Sequence, residues 1–339
     1  SGSGQTQMGM GGSTSSYDCT FTAEIISQTD ARMEFSVPAV MGGMTLMFQT
    51  GDAPADLLLA GTYEGYTDAD CGYFQNSYTD GESVTLENIL IGDVWVCSGQ
   101  SNMEMPVKGF GNQPVENSID YIMRGGEEAS RIRMFTVQRA RSYDKDMEDC
   151  AGGQWECASP ASVANCSATA YFFAYNLTHA VNIPIGIIAT DWGGTRVESW
   201  MPLSALKDCV TEEQFKQKQT VHDIKPSELY CAMIAPIRNF TARGFLWYQG
   251  EANLGDIDHY DKMMARMVEQ WRSDWGDEDN SMPFYYAQIA PYSYGDSQNI
   301  SYPLFVEAQV RALSEIPNCG MAGTTDIGSE NCIHPAQKF

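Results

Sequence analysis

From residue 93 onward the chain alternates two kinds of pattern. Short, mainly apolar runs occur at 94–97, 183–189, 245–248 and 284–290, with a last one at 320–325. Between them lie longer stretches, 167–180, 260–275 and 302–316, in which apolar residues recur every three to four positions. A short apolar run bounded by turn residues predicts a buried strand, and the longer spacing predicts a helix. Buried strands alternating with helices predict an α/β fold, a parallel doubly wound sheet covered by helices. Met263, Met264 and Met267 fall on one face of the 260–275 helix and are read as core packing. Residues 1–92 differ. They carry short alternating runs, such as 33–37 and 44–48, broken by Gly, Asp and Pro. That pattern predicts a small β-rich N-terminal domain, followed by an α/β domain over 93–339. The run 84–91 leads from one to the other, and no internal repeat is present.

Four of the predicted strands end in polar residues. The first ends in Ser98-Gly99-Gln100-Ser101-Asn102. In open α/β sheets ligands bind beyond the carboxyl ends of the strands, and nucleophiles sit there. Ser101 is therefore the candidate nucleophile. Cys97 is the alternative, but it lies within the apolar run and reads as packing. The second end, Asp191-Trp-Gly-Gly-Thr-Arg196, offers Gly193 and Gly194, whose N–H groups can face a ligand. The third, Gln249-Gly-Glu-Ala-Asn253, offers a carboxylate and two amides. The fourth, after 320–325, carries Asp326, Glu330 and His334. His334 is one of four histidines. His179 and His259 belong to or adjoin predicted helices, and His222 is the fourth. Only His334 follows a strand end that joins the other three. The parts suggest an acyl-transfer site. Ser101 attacks, His334 is the general base, and a carboxylate orients the imidazole. The Ser101 N–H, Gly193 or Gly194, and the Asn253 amide form the oxyanion hole. Gln100, Asn102, Gln249 and Arg196 are the candidate substrate-binding residues.

Charge narrows the partners. The chain carries 20 Lys and Arg against 44 Asp and Glu, a net charge of −24. Such a field repels phosphate backbones and argues against nucleic acid. An acidic ligand would need a local basic group, for which Arg196 is the candidate, with a structural salt bridge as its alternative role. No apolar run has the roughly 20 residues needed to span a bilayer. No ligand cluster has metal-site spacing, so no cofactor is expected. Oligomeric state is not legible.

Ten cysteines occur without paired Cys-x-x-Cys spacing. Cys150, Cys157 and Cys166 form one cluster, and Cys319 and Cys332 flank a short segment; disulfides are expected at both. Sequons begin at Asn165, Asn176, Asn239 and Asn299. Together these predict a secreted or lysosomal glycoprotein. The Gly/Ser/Met-rich start at Ser1 reads as a mature or incomplete end.

The ordered blocks GDVWVCSGQSNM (92–103), IPIGIIATDWGGTRVESW (183–200), LYCAMIAPIRNFTARGFLWYQGEAN (229–253) and DIGSENCIHPAQK (326–338) resemble the SGNH-hydrolase superfamily. More specifically, they resemble its sialate O-acetylesterase family. The segments MPFYYAQIAPY (282–292) and EAQ (307–309) fit the same pattern. The resemblance implies a flavodoxin-like three-layer fold and metal-independent hydrolysis of acetyl esters of carbohydrates, with further helix and β structure beyond residue 339. It places the nucleophile on Ser101, the oxyanion groups on Gly193 or Gly194 and Asn253, and the histidine on His334. Two positions depart from the family pattern. Ala252 replaces a serine. Asn331 stands three residues before the histidine, where many SGNH hydrolases have the orienting aspartate. Glu251 is then the expected acid, with Asp326 second and Glu330 third. The expected function is removal of O-acetyl groups from sialic acids or similar sugars. The alternatives are an esterase for acetylated polysaccharides such as xylan, and a catalytically silent carbohydrate-binding or structural protein on the same fold.

Overall fold

The computed structural model describes residues 90–126, 129–211, 223–295 and 300–339 with their side chains; before residue 90 it describes the backbone of six strands. The chain divides into two compact units, residues 1–94 with 181–184 and 239–242, and the remainder. In the first unit β1 (Gly2–Met10), β2 (Ser13–Ile25), β3 (Asp30–Ser36), β4 (Met44–Met47), β5 (Tyr73–Asn76) and β6 (Ser83–Leu90) form one antiparallel sheet in the order β5-β4-β1-β2-β3-β6.

The second unit is built on seven strands: β7 (Asp93–Gly99), β8 (Ile132–Thr136), β9 (Trp155–Cys157), β10 (Ile185–Asp191), β11 (Gly244–Tyr248), β12 (Phe284–Ala287) and β13 (Cys319–Ala322). Their order is β13-β12-β11-β7-β10-β8-β9. Strand β8 pairs parallel with β10, as do β7 with β11, β11 with β12 and β12 with β13; β9 runs antiparallel on β8. The helices are α1 (Ser101–Glu104), α2 (Ser118–Arg124), α3 (Pro160–Asn165), α4 (Ala168–Val181), α5 (Leu203–Lys207), α6 (Tyr260–Asp274) and α7 (Ser301–Glu315). None among the described residues is long and apolar enough to cross a membrane.

Alternate residues of each strand point to opposite faces. Phe245 and Trp247 of β11 therefore share a face, where they pack on Trp271 of α6 at ring separations of 5.5 and 5.7 Å. Trp95 of β7 faces the other way and meets Phe173 of α4 edge-on at 4.8 Å. Helices thus cover both faces, giving three layers. The guanidinium of Arg272, 1% exposed, donates to the carbonyls of Met282, Pro317 and Asn318 and ties α6 to the starts of β12 and β13.

The expected disulfides are not seen among the described residues, where all eight cysteines, including Cys150, Cys157, Cys166, Cys319 and Cys332, are free. Cys166 is buried while Cys157 is exposed. Cys97 is fully buried and its thiol is pushed far up by burial, which makes it inert as a nucleophile.

Candidate active site

Parallel pairing brings the carboxyl ends of the central strands to one edge. Gly99 of β7 lies opposite Tyr248 of β11, and Trp192, just past β10, donates its N–H to the Gly99 carbonyl at 3.1 Å. Gly99 adopts φ +147°, and a Cβ there would lie 2.2 Å from the Tyr248 carbonyl oxygen, so only glycine lets the strand turn so close to its neighbour. The turn delivers Ser101 to the first position of α1, half-buried at the edge.

Gly193 sits against Ser101. A Cβ on Gly193 would be 3.3 Å from the Ser101 Cβ and 2.7 Å from Oε2 of Glu104. The Gly193 N–H donates to that same Oε2 at 2.5 Å. A carboxylate oxygen therefore rests on a backbone donor directly beside the serine. The other carboxylate oxygen, Oε1, pairs with Nη2 of Arg139 at 2.8 Å. Neither Glu104 nor Arg139 was anticipated. The only signal in the sequence was the i, i+3 spacing of Ser101 and Glu104, which puts both on one helical face. Gly194 takes the left-handed turn that follows, with φ +72°.

His334 is half-buried. Its Nδ1 faces Oε1 of Gln113 at 2.6 Å, and its ring meets Phe110 edge-on at 5.2 Å. An amide oxygen can only accept, so Nδ1 carries the proton and Nε2 the lone pair, the tautomer a general base requires. Burial lowers the imidazole pKa first and Lys338 lowers it further, while the Glu104 carboxylate raises it. The structure does not bring Glu251, Asp326 or Glu330 to this ring. Asp326 and Glu330 are exposed on the loop before it. Among the described residues the Ser101 hydroxyl has no hydrogen-bond partner, so the serine and histidine are not in hydrogen-bond contact. Such contacts are commonly loose without substrate and tighten around it.

Glu251 is joined to the histidine loop indirectly. Asn102 donates from Nδ2 to Glu251 Oε1 at 2.7 Å and to the carbonyl of Ile333 at 3.1 Å. Lys338 Nζ donates to the Asn102 Oδ1 at 2.6 Å and lies over the Tyr248 ring. Burial raises the Glu251 pKa, against hydrogen bonds and Lys338, and its Oε2 is buried without a partner. Burial also lowers Lys338 to about 7, against the pull of Glu251.

The remaining predicted residues knit the scaffold. Asn253 is fully buried; its Nδ2 donates to Glu198 at 2.9 Å, and its Oδ1 accepts from Val197 N–H and from Gln249 Nε2. Gln249 also donates to the Thr195 carbonyl and accepts from the Tyr260 hydroxyl. Gln100 Oε1 accepts from the N–H groups of Gly250 and Ala252. Arg196, its side chain 16% exposed, pairs with Glu198 at 3.0 Å, with Asp256, and with the Ala252 carbonyl. Its charge is consumed inside the protein. Among the described residues no group of three or more His, Cys, Asp or Glu side chains could hold a metal ion.

The family model "Carbohydrate esterase, sialic acid-specific acetylesterase" matches residues 91–337. The chain belongs to this family. It is 29% identical over 282 residues to the human (Homo sapiens) sialate O-acetylesterase, covering 76% of this chain and 52% of that protein. To the Mus musculus enzyme it is 27% identical over 283 residues, 71% of this chain and 51% of that protein. Among solved structures it resembles a carbohydrate acetylesterase from Xanthomonas citri, with a TM-score of 0.67 and 27% identity over 98% of this chain and 65% of that one. The chain spans about half the length of the curated relatives it matches. The sheet and its helices are those of the SGNH-like carbohydrate esterases.

Proposed function

We propose that this chain is a serine esterase that removes O-acetyl groups from acetylated sugars, with sialic acids as the first candidates. The observation that carries the reading is the Gly193 N–H beside Ser101, already occupied by a carboxylate oxygen. A donor that holds an anionic oxygen at that place can hold the oxyanion of a tetrahedral intermediate, a contribution of about 3 kcal/mol in comparable enzymes.

In this mechanism the acetyl carbonyl oxygen displaces Glu104 from the Gly193 N–H. Ser101 Oγ attacks the carbonyl carbon as His334 Nε2 takes its proton. The intermediate collapses, the C–O bond to the sugar breaks, and His334 returns the proton to the departing alkoxide. Water then repeats the sequence on the acetyl-serine, releasing acetate and restoring the serine. Gln113 fixes the tautomer, the part an aspartate plays in a triad, without supplying negative charge. The nearby charge comes from Glu104. Glu251 acts one step removed, through Asn102. Asn253, with its amide on Glu198, supports the turns that carry Gly193 and Glu251.

The test is acetate release from O-acetylated sialic acid and from acetylated xylan, side by side, with Ser101→Ala as the blank. Release that depends on Ser101 supports the esterase, and the better substrate assigns the sugar. A folded chain that releases nothing would favour a silent sugar-binding protein. A secreted or lysosomal setting is part of the proposal. Three of the four sequon asparagines, Asn165, Asn176 and Asn239, are exposed, while Asn299 lies outside the described residues.

A further inference from the structure

The family blocks build the acetyl site and leave the rest of the sugar unread. With a net charge of −24 the protein repels anions at a distance, so an acidic sugar needs a cation close to the ester. Arg196 does not provide it, because Glu198 and Asp256 take its charge. Arg139 is placed differently. Its side chain is 41% exposed, and its Nη2 holds the carboxylate whose other oxygen rests on the Gly193 N–H. Arg139 and the oxyanion donor are therefore one carboxylate group apart.

The guanidinium is held in place. Nε donates to the Asp191 carbonyl at 3.3 Å, and the group lies 5.4 Å from the centre of the Trp192 ring. Arg141 lies at the same 5.4 Å from that ring, its Nη1 donating to the Asp223 carbonyl. Both guanidiniums therefore lie on the indole of Trp192, the residue before Gly193. Among the described residues Arg139 pairs with one further carboxylate besides Glu104, that of Asp191 at 4.0 Å. Burial, then Glu104, push that carboxyl up to about 7, against Arg139.

We propose that Arg139 is the residue that selects a carboxylate carried by the acetylated sugar itself, taking that group in place of the Glu104 carboxylate. The proposal rests on the esterase reading above. In the resting protein Glu104 stands in for both anionic groups of the substrate, one oxygen on Arg139 and one on Gly193. A sugar acid replaces both contacts. A neutral sugar replaces only the second and leaves Glu104 tethered to Arg139 beside the developing oxyanion.

The experiment uses the full chain with O-acetylated N-acetylneuraminic acid and its methyl ester, which differ only in the carboxyl charge. The expected kcat/KM favours the free acid by about tenfold, the scale of one charge-assisted hydrogen bond. In Arg139→Ala that ratio falls to near one, and Arg139→Lys restores part of it. Equal rates on the two sugars in the wild type, or an unchanged ratio in Arg139→Ala, would overturn the subsite. Binding is read separately by titration calorimetry of N-acetylneuraminic acid into Ser101→Ala and Ser101→Ala/Arg139→Ala. Failure to release acetate even from 4-nitrophenyl acetate would sink the esterase reading alone. Calorimetry then decides the subsite: Arg139-dependent binding upholds it, and equal binding removes it.

Discussion

Asn102, the residue after the candidate nucleophile, donates a 2.7 Å hydrogen bond to Glu251, just past the end of the neighbouring strand β11. The same Nδ2 holds the carbonyl of Ile333, one residue before His334. Glu251 thus reaches the histidine through one amide and one backbone carbonyl. It positions the loop and does not touch the ring.

That geometry predicts a graded response at position 251. Glu251→Gln keeps an acceptor for Asn102 and should retain most of kcat. Glu251→Ala strands the buried amide and should lower kcat/KM by about 10- to 100-fold, the cost of an unmade hydrogen bond to a charged group. Steady-state kinetics on a chromogenic acetyl ester distinguishes them. A collapse of Glu251→Gln to the level of Ser101→Ala would mean that the carboxylate itself serves His334.

Gln113 is expected to matter through the ring it orients. Gln113→Ala should lower kcat with little change in KM. Gln113→Glu places a negative charge on Nδ1 and should move the acid limb of the kcat/KM profile to higher pH. A profile that stays put in Gln113→Glu would show that Gln113 leaves His334 in the working enzyme.

The pH dependence has a definite sign. His334 acts as a base only when neutral, and burial and Lys338 hold its pKa below the ordinary 6.5. Activity should therefore rise with pH and reach half its plateau below pH 6.5. Lys338→Met removes a cation that lowers this pKa, so its acid limb should shift upward. Glu104→Gln removes the opposing anion and should shift it downward. Opposite shifts in the two variants are the signature, read from kcat/KM between pH 4 and 8.

Arg196→Ala tests the structural reading of that residue. Glu198 is fully buried and would lose its cation, a change that typically costs about 3–5 kcal/mol. The melting temperature should fall by several degrees, with the ratio of free acid to methyl ester rates unchanged in the protein that remains folded. A stable variant with altered charge preference would restore Arg196 to the sugar site.

Much of the sheet was legible because buried parallel strands are apolar throughout. The run at 245–248 became β11, and 183–189 became β10 shifted by two residues. Strand β8 escaped because Ile132-Arg-Met-Phe-Thr alternates, with Ile132 and Met134 buried and Arg133 and Phe135 less so, which is the pattern of a strand near a sheet edge. The strand ends located Ser101, Gly193, Glu251 and His334, but not their partners. Gln113 meets His334 across 221 residues and Lys338 meets Asn102 across 236, so no local spacing announces either pair. For Arg196 the sequence left a sugar contact and a structural salt bridge open, and Glu198 and Asp256 draw it inward.

The central claim is that Ser101 carries the acetyl group. Brief exposure of the wild-type chain to O-acetylated N-acetylneuraminic acid, acid quenching and mass spectrometry of the peptide containing Ser101 tests it directly. An added acetyl group on Ser101, with acetate release lost by at least about a thousandfold in Ser101→Ala, is the predicted result. Undiminished release by Ser101→Ala, with no acetyl on that peptide, would contradict it.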